Sequence, residues 1–214
     1  MVEGMDSVKT NRTRRQRGYS FEYELVRRIN SCNGWKAIRL GSPSVSLPDV
    51  IAVNNTRGIM LAIEAKSTST DTIKVPIEQV ARCINWLNLF TRYRHRYAIL
   101  ALKFMSKRWK KAYTYEHRVL QEYYYQLGLG DEEHRDDVVR RVMMKVQEEG
   151  KDDNDKNSSK KAYIACRYDG SLYIHLNEPH PNPATITDNG SEAGRRIRLD
   201  LNTFAMPWLE GKNR

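Results

Sequence analysis

Two carboxylates and an amine lie within one short stretch, Leu47 to Ser67, whose pattern can bring them together. Asp49 sits in the run Pro48 to Val53, and Glu64 and Lys66 close a second run, Ile59 to Lys66. Between the runs lies Asn54-Asn55-Thr56-Arg57-Gly58, whose asparagines and glycine tolerate the positive φ of a tight turn. Side chains alternate along a strand, so Glu64 and Lys66 share a face. Hairpin pairing sets the start of the first strand beside the end of the second, which puts Asp49 near Glu64. Carboxylates are hard oxygen donors suited to magnesium or manganese. Such an ion would polarise a phosphate and lower the pKa of a bound water. The lysine would orient that water or offset phosphate charge. The plainer alternative is an edge hairpin with a solvated aspartate and a glutamate–lysine pair, because short motifs recur by chance.

The neighbouring elements must position this set. Ser20 can cap a helix running to about Asn30, with Asn33-Gly34 closing it. Helical spacing places Glu22 with Leu25, Val26 and Ile29 on the inward stripe. Glu24 falls on the outer face with Arg27 and Arg28, as a surface ion pair would. An inward acid needs a partner, and a metal is one candidate. Trp35 to Leu40 reads as a strand carrying Arg39 toward the same edge, and Gly41 to Ser46 as a small polar loop. Ile73 to Val75 is a short strand, and Pro76 opens a helix to about Phe90. Its core stripe is Ile77, Val80, Ala81, Ile84 and Leu87. Cys83, Trp86 and Phe90 make a second apolar line, covered either by another layer of the chain or by a second subunit. Tyr97 to Phe104 reads as a central strand. Glu116 to Leu127 and Asp131 to Glu149 read as helices. Ala162 to Leu176 reads as a hairpin around Tyr168-Asp169-Gly170-Ser171. Lys151 to Lys161 is a charged linker, and Asn177 to Gly194 an expected mobile loop.

Composition narrows the partners. The chain has 214 residues, 40% of them hydrophobic, and a formal net charge of +10. That excess favours a polyanion, with nucleic acid the default. No long apolar run or amphipathic anchor points to a membrane. Met1 to Asn11 lacks the apolar core of a signal peptide, and an intracellular, cytoplasmic and nucleoid-associated location is expected. Cys32, Cys83 and Cys166 are odd in number and far apart, as reduced thiols would be. Arg12, Arg14, Arg15 and Arg17 form a basic arm ahead of the first helix. It fits either phosphate contact or a solvated N-terminus. Lys103, Lys107, Arg108, Lys110 and Lys111 interleave with Trp109, Tyr113 and Tyr115, which suits nucleic-acid contact or one more strand face.

Pro48-Asp49, fourteen residues, then Glu64-Ala65-Lys66 resembles the PD-(D/E)xK nuclease motif. Arg17 to Glu22, Ile38-Arg39, Gly41-Ser42, and Ile73-Lys74-Val75 with Glu78-Gln79 resemble the archaeal Holliday junction resolvase family, including its relatives in archaeal viruses. The resemblance covers about Arg14 to Phe104. It implies a restriction-endonuclease-like α/β fold, a mixed β-sheet flanked by helices, to which residues 116–214 would add an α+β elaboration packed on a 1–115 nuclease core. It implies Glu22, Asp49 and Glu64 as ligands for Mg2+ (with Mn2+ as substitute), Lys66 as the catalytic lysine, and Ser42 and Gln79 as assisting residues. Arg14, Arg15, Arg17, Arg39 and Lys74 would contact DNA. Tyr23 stands where the family often has a basic residue. The implied activity is paired nicking of four-way DNA junctions by a homodimer, leaving 5′-phosphates, with Trp86 and Phe90 as candidate dimer contacts. A nuclease of the same fold acting on linear or damaged DNA, and a non-catalytic branched-DNA binder, are the alternatives.

Overall fold

The computed structural model describes residues 19–40, 47–110, 114–129, 137–149, 162–175, 196–199 and 204–207. Arg14, Arg15, Arg17 and Ser42, the 151–161 linker and the 177–194 loop lie outside them.

Helix α1 spans residues 19–30. Strands β1 (Trp35–Arg39), β2 (Val50–Asn54) and β3 (Ile59–Thr68) form an antiparallel meander, and β4 (Thr72–Pro76) leads into helix α2 (Ile77–Asn88). β5 (His95–Phe104) returns parallel to β3, as a strand following a crossover helix must. The expected β2–β3 hairpin is present. It pairs Val50 with Ile63 and Asn54 with Ile59, and Gly58 takes φ 62° in its turn. The sheet is completed by β8 (Gln121–Gly128), antiparallel to β5, in the order β1-β2-β3-β5-β8. This is the mixed sheet flanked by helices that the sequence led one to expect.

The helix expected over Glu116 to Leu127 is not formed. Those residues give the short strand β7 (Tyr115–His117), paired with β6 (Lys107–Trp109), and then β8. The central sheet therefore runs past residue 115. The reason is burial on both faces: Tyr125 and Leu127 pack into one core cluster and Tyr124 into the other. A strand buried twice shows no polar alternation, and its period is easily taken for helical.

A second sheet has the order β11-β10-β9-β4, from β9 (Tyr163–Arg167), β10 (Leu172–His175) and β11 (Arg196–Arg198). The hairpin expected around Tyr168 to Ser171 is β9–β10, with Gly170 at φ 84°. Helix α3 (Asp137–Glu149) packs on α2 through Val138, Val139 and Val142. Of the second apolar line of α2, Cys83 is fully buried and Phe90 packs against the same core.

The central sheet separates two cores. On one face lies α1, with Phe21, Leu25 and Ile29 against Leu61, Ile63 and Ile99. Each such side chain contributes about 1.5–3 kcal/mol by leaving water. On the other face lie α2, α3 and the second sheet, against Met60, Ala62, Leu100 and Leu102. A partly buried charge network also fastens α1. Lys103 of β5 pairs with Glu24 of α1 at 2.6 Å and Glu122 of β8 at 3.0 Å, and Arg28 reaches Glu122 at 2.8 Å. Glu24 is thus more than half of a surface pair with Arg28: it is a tie between helix and sheet.

Candidate active site

The site lies at one end of the β2–β3 hairpin. Ile63 and Ala65 face the α1 core, while Met60 and Ala62 face the α2 core. Alternation therefore turns Glu64 and Lys66 toward α2. Glu64 is 0% exposed. Both its carboxylate oxygens are taken: Oε1 accepts from Lys66 Nζ, and Oε2 accepts from Arg82 Nη2 at 2.6 Å. Asp49 sits just before β2, where its backbone N–H donates to the Ile63 carbonyl at 3.1 Å. Its Oδ2 accepts from the Ala65 N–H at 2.8 Å, which pins the aspartate beside Glu64 as the hairpin register predicts.

Glu22 approaches from α1. It is buried, and its Oε2 accepts from Arg39 Nε of β1 at 2.5 Å. Of the two acids on this helix, Glu22 is the one turned inward, as the helical stripe predicts. The Arg39 guanidinium lies 4.3 Å from the ring centre of Tyr19 and 5.1 Å from that of Tyr23.

The Asp49 charge bears on both glutamates. Burial is the largest influence on Glu64 and raises its carboxyl; the Asp49 charge adds to this, while Lys66 and Arg82 oppose it. Burial likewise raises Glu22, with Arg39 opposing and Asp49 reinforcing. Three carboxylates of which two are shielded from water are a costly arrangement unless positive charge is near. Here Arg39, Lys66 and Arg82 supply it. Among the described residues no three His, Cys, Asp or Glu side chains are gathered closely enough to enclose a metal. The donor chemistry nevertheless suits a hard divalent cation, since carboxylate oxygens are the ligands such ions take.

Other expected residues fall outside this set. Gln79 is on the first turn of α2, but its Oε1 is buried with no hydrogen-bond partner among the described residues. Lys74 is on β4 in the second sheet, its ammonium 4.7 Å from the Tyr163 ring centre. Trp86 and Phe90 stack on each other, ring centres 5.9 Å apart, both partly buried. Arg108 is held by Asp71 and Glu116, and Arg118 by Asp71 at 2.8 Å, so these bases fasten the β6–β7 hairpin to the β3–β4 turn.

Arg82 is the residue the sequence reading missed. It stands on α2 between buried Ala81 and Cys83, on a helix whose apolar lines leave little room for a charge. An arginine flanked by core positions signals a buried acidic partner, and Glu64 is that partner.

A family model described as archaeal Holliday junction resolvase (Hjc) matches residues 13–124, more than half of the chain. The chain belongs to this family. The match contains α1, the hairpin with Asp49, Glu64 and Lys66, α2 with Arg82, and the first half of β8. A crossover junction endodeoxyribonuclease, Hje of Sulfolobus acidocaldarius, is 37% identical over 97 residues, which are 44% of this chain and 66% of that protein. The chain thus matches just under two thirds of that relative's length. Among solved structures, Hjc of Archaeoglobus fulgidus, a Holliday junction resolvase, is 23% identical with a TM-score of 0.36, covering 50% of this chain and 73% of that one. No helix among the described residues is long and apolar enough to cross a membrane.

Proposed function

We propose that this family member is a metal-dependent DNA endonuclease that resolves four-way junctions by paired, symmetric nicks. One observation carries the reading: a wholly buried glutamate, Glu64, shares its carboxylate with Lys66 beside a pinned Asp49. Burying a charge is expensive, and a fold keeps one where chemistry uses it.

Glu22, Asp49 and Glu64 would hold the divalent cation, magnesium with manganese as substitute. When bound, such an ion polarises the phosphate and lowers the pKa of a nearby water. Lys66 is held by Glu64, so its ammonium is oriented before substrate arrives. It would position the attacking water and offset charge developing on the phosphate. Arg39, bound to Glu22, keeps that acid aligned with the hairpin. Water attacks phosphorus and the 3′ oxygen leaves, giving a 5′-phosphate. The +10 net charge, with the basic arm at Arg14, Arg15 and Arg17, suits phosphate contact along DNA. Ser42 and Gln79 remain candidate assisting residues, and Arg39 and Lys74 candidate DNA contacts. Two nicks placed across a two-fold junction call for a homodimer, with Trp86 and Phe90 as candidate contacts. We place the protein inside the cell, with the nucleoid.

The test is cleavage of a labelled immobile four-way junction and a matched linear duplex, with magnesium and with chelator, alongside Glu64→Ala. Symmetric nicks in the junction alone, lost with chelator and in the variant, are the expected outcome. Equal cutting of both DNAs would mean a general nuclease. Tight junction binding without cutting under any divalent ion would mean a binding module.

A further inference from the structure

The lip of the acid cluster carries two tyrosines that the nicking chemistry does not use. Tyr19 and Tyr23 are four residues apart on α1, so they share one helix face. They are 48% and 60% exposed, and neither ring belongs to the cores on either side of the sheet. A tyrosine ring left this open forgoes the burial that normally places it, so its position has another origin. Both rings lie against one guanidinium, Arg39, at 4.3 and 5.1 Å. That guanidinium is fixed in turn, because its Nε donates to Glu22 at 2.5 Å. The arginine thus holds two exposed aromatic rings beside the reacting acids and is itself anchored by one of them.

Resting on the junction-nuclease reading above, we propose that Tyr19 and Tyr23 are a stacking platform for an unstacked nucleobase at the branch point of DNA. The chemistry selects that occupant. A phosphate is repelled by the electron-rich face of a tyrosine, whereas a nucleobase stacks on it. In continuous duplex every base face is already covered by its neighbours. At a branch the stack is interrupted, and a base face becomes available. Basic contacts bind branch and duplex alike, because each presents the same phosphates. The aromatic pair adds affinity only where a base is open. It therefore confers branch selectivity on a site whose acids and lysine are indifferent to DNA shape. Its distance from the acids is set by Glu22, the next residue before Tyr23, so the base it holds registers the strand against the cluster.

The experiment measures equilibrium binding of the full chain to a four-way junction and to a linear duplex of the same sequence, in chelator so that no cutting occurs. Wild type is compared with Tyr19→Ala/Tyr23→Ala, Tyr19→Leu/Tyr23→Leu and Tyr19→Phe/Tyr23→Phe. Stacking is worth about 1–3 kcal/mol per base, which is about a 5- to 150-fold change in affinity. The alanine and leucine pairs are expected to lose that much on the junction and keep wild-type affinity for duplex. The phenylalanine pair, which retains the rings without the hydroxyls, is expected to bind like wild type. Because both side chains are exposed, the variants should melt as wild type does. Equal losses on both DNAs, no loss on the junction, or full binding by the leucine pair would overturn the platform. A wild type that does not distinguish junction from duplex would overturn the functional reading, and the platform with it.

Discussion

Glu64 needs two cations. Lys66 and Arg82 each take one oxygen of a carboxylate that sees no water, so neither base can be removed without leaving charge uncompensated. Arg82→Gln is expected to cost about 1.5–3 kcal/mol in urea unfolding, the worth of a hydrogen bond to a charged group. In a Glu64→Gln background the same substitution should cost much less, and the difference between the two costs is their coupling. Lys66→Ala should behave differently: junction affinity is kept while the cleavage rate falls by about 10²–10³, as when one group stabilising developing charge is removed. These residues were not equally legible in the sequence. Asp49, Glu64 and Lys66 could be read because a hairpin converts sequence spacing directly into proximity. Glu22 could be read because helical period separates it from Glu24. Arg82 meets Glu64 from a different element, and no local period encodes that meeting. Only its position between two core residues hinted at a partner.

At the scale of elements, the tie between α1 and the sheet makes stability pH-dependent. Burial works to raise the Glu122 carboxyl, but hydrogen bonds from Tyr124, Lys103 and Arg28 outweigh it and hold the group below its ordinary value of 4.5. A lowered folded pKa contributes stability that is complete above the ordinary value and lost as pH falls through the folded one. Glu122→Gln should therefore destabilise the protein by about 1.5–3 kcal/mol at pH 7 and progressively less below pH 4.5, as followed by urea melts across pH. The β9–β10 turn offers a second test. Gly170 has φ 84°, and a Cβ there would lie 2.8 Å from the Tyr123 ring. Gly170→Ala should cost at least the ~1–2 kcal/mol of a left-handed residue, read as a lowered melting temperature. The strand that carries Tyr123 is also the misread element. Tyr123, Tyr124 and Tyr125 serve opposite faces of β8, and only the tertiary fold says that both are covered. The β2–β3 and β9–β10 hairpins were legible because their turns announce themselves through Asn, Asp and Gly.

At the scale of the molecule, the +10 charge should govern DNA affinity. Log binding constant is expected to fall linearly with log salt, by about 0.9 for each phosphate neutralised, in a titration of junction binding. The sequence signalled a polyanion through its charge alone, but not the shape of the C-terminal half, because the partner of β4 lies some ninety residues away along the chain. That pairing matters for any shortened form of the protein. β4 leaves the central sheet immediately after β3 and completes its hydrogen bonding with β9, while β5 completes its own with β8. A chain cut after residue 115 would keep the matched acids and yet leave β5 and the isolated β4 each with a bare border. Unpaired borders of apolar strands recruit other chains. Such a fragment should precipitate or form ladders of intermolecular β-structure on expression, and the remedy would be to restore strands rather than to change buffers.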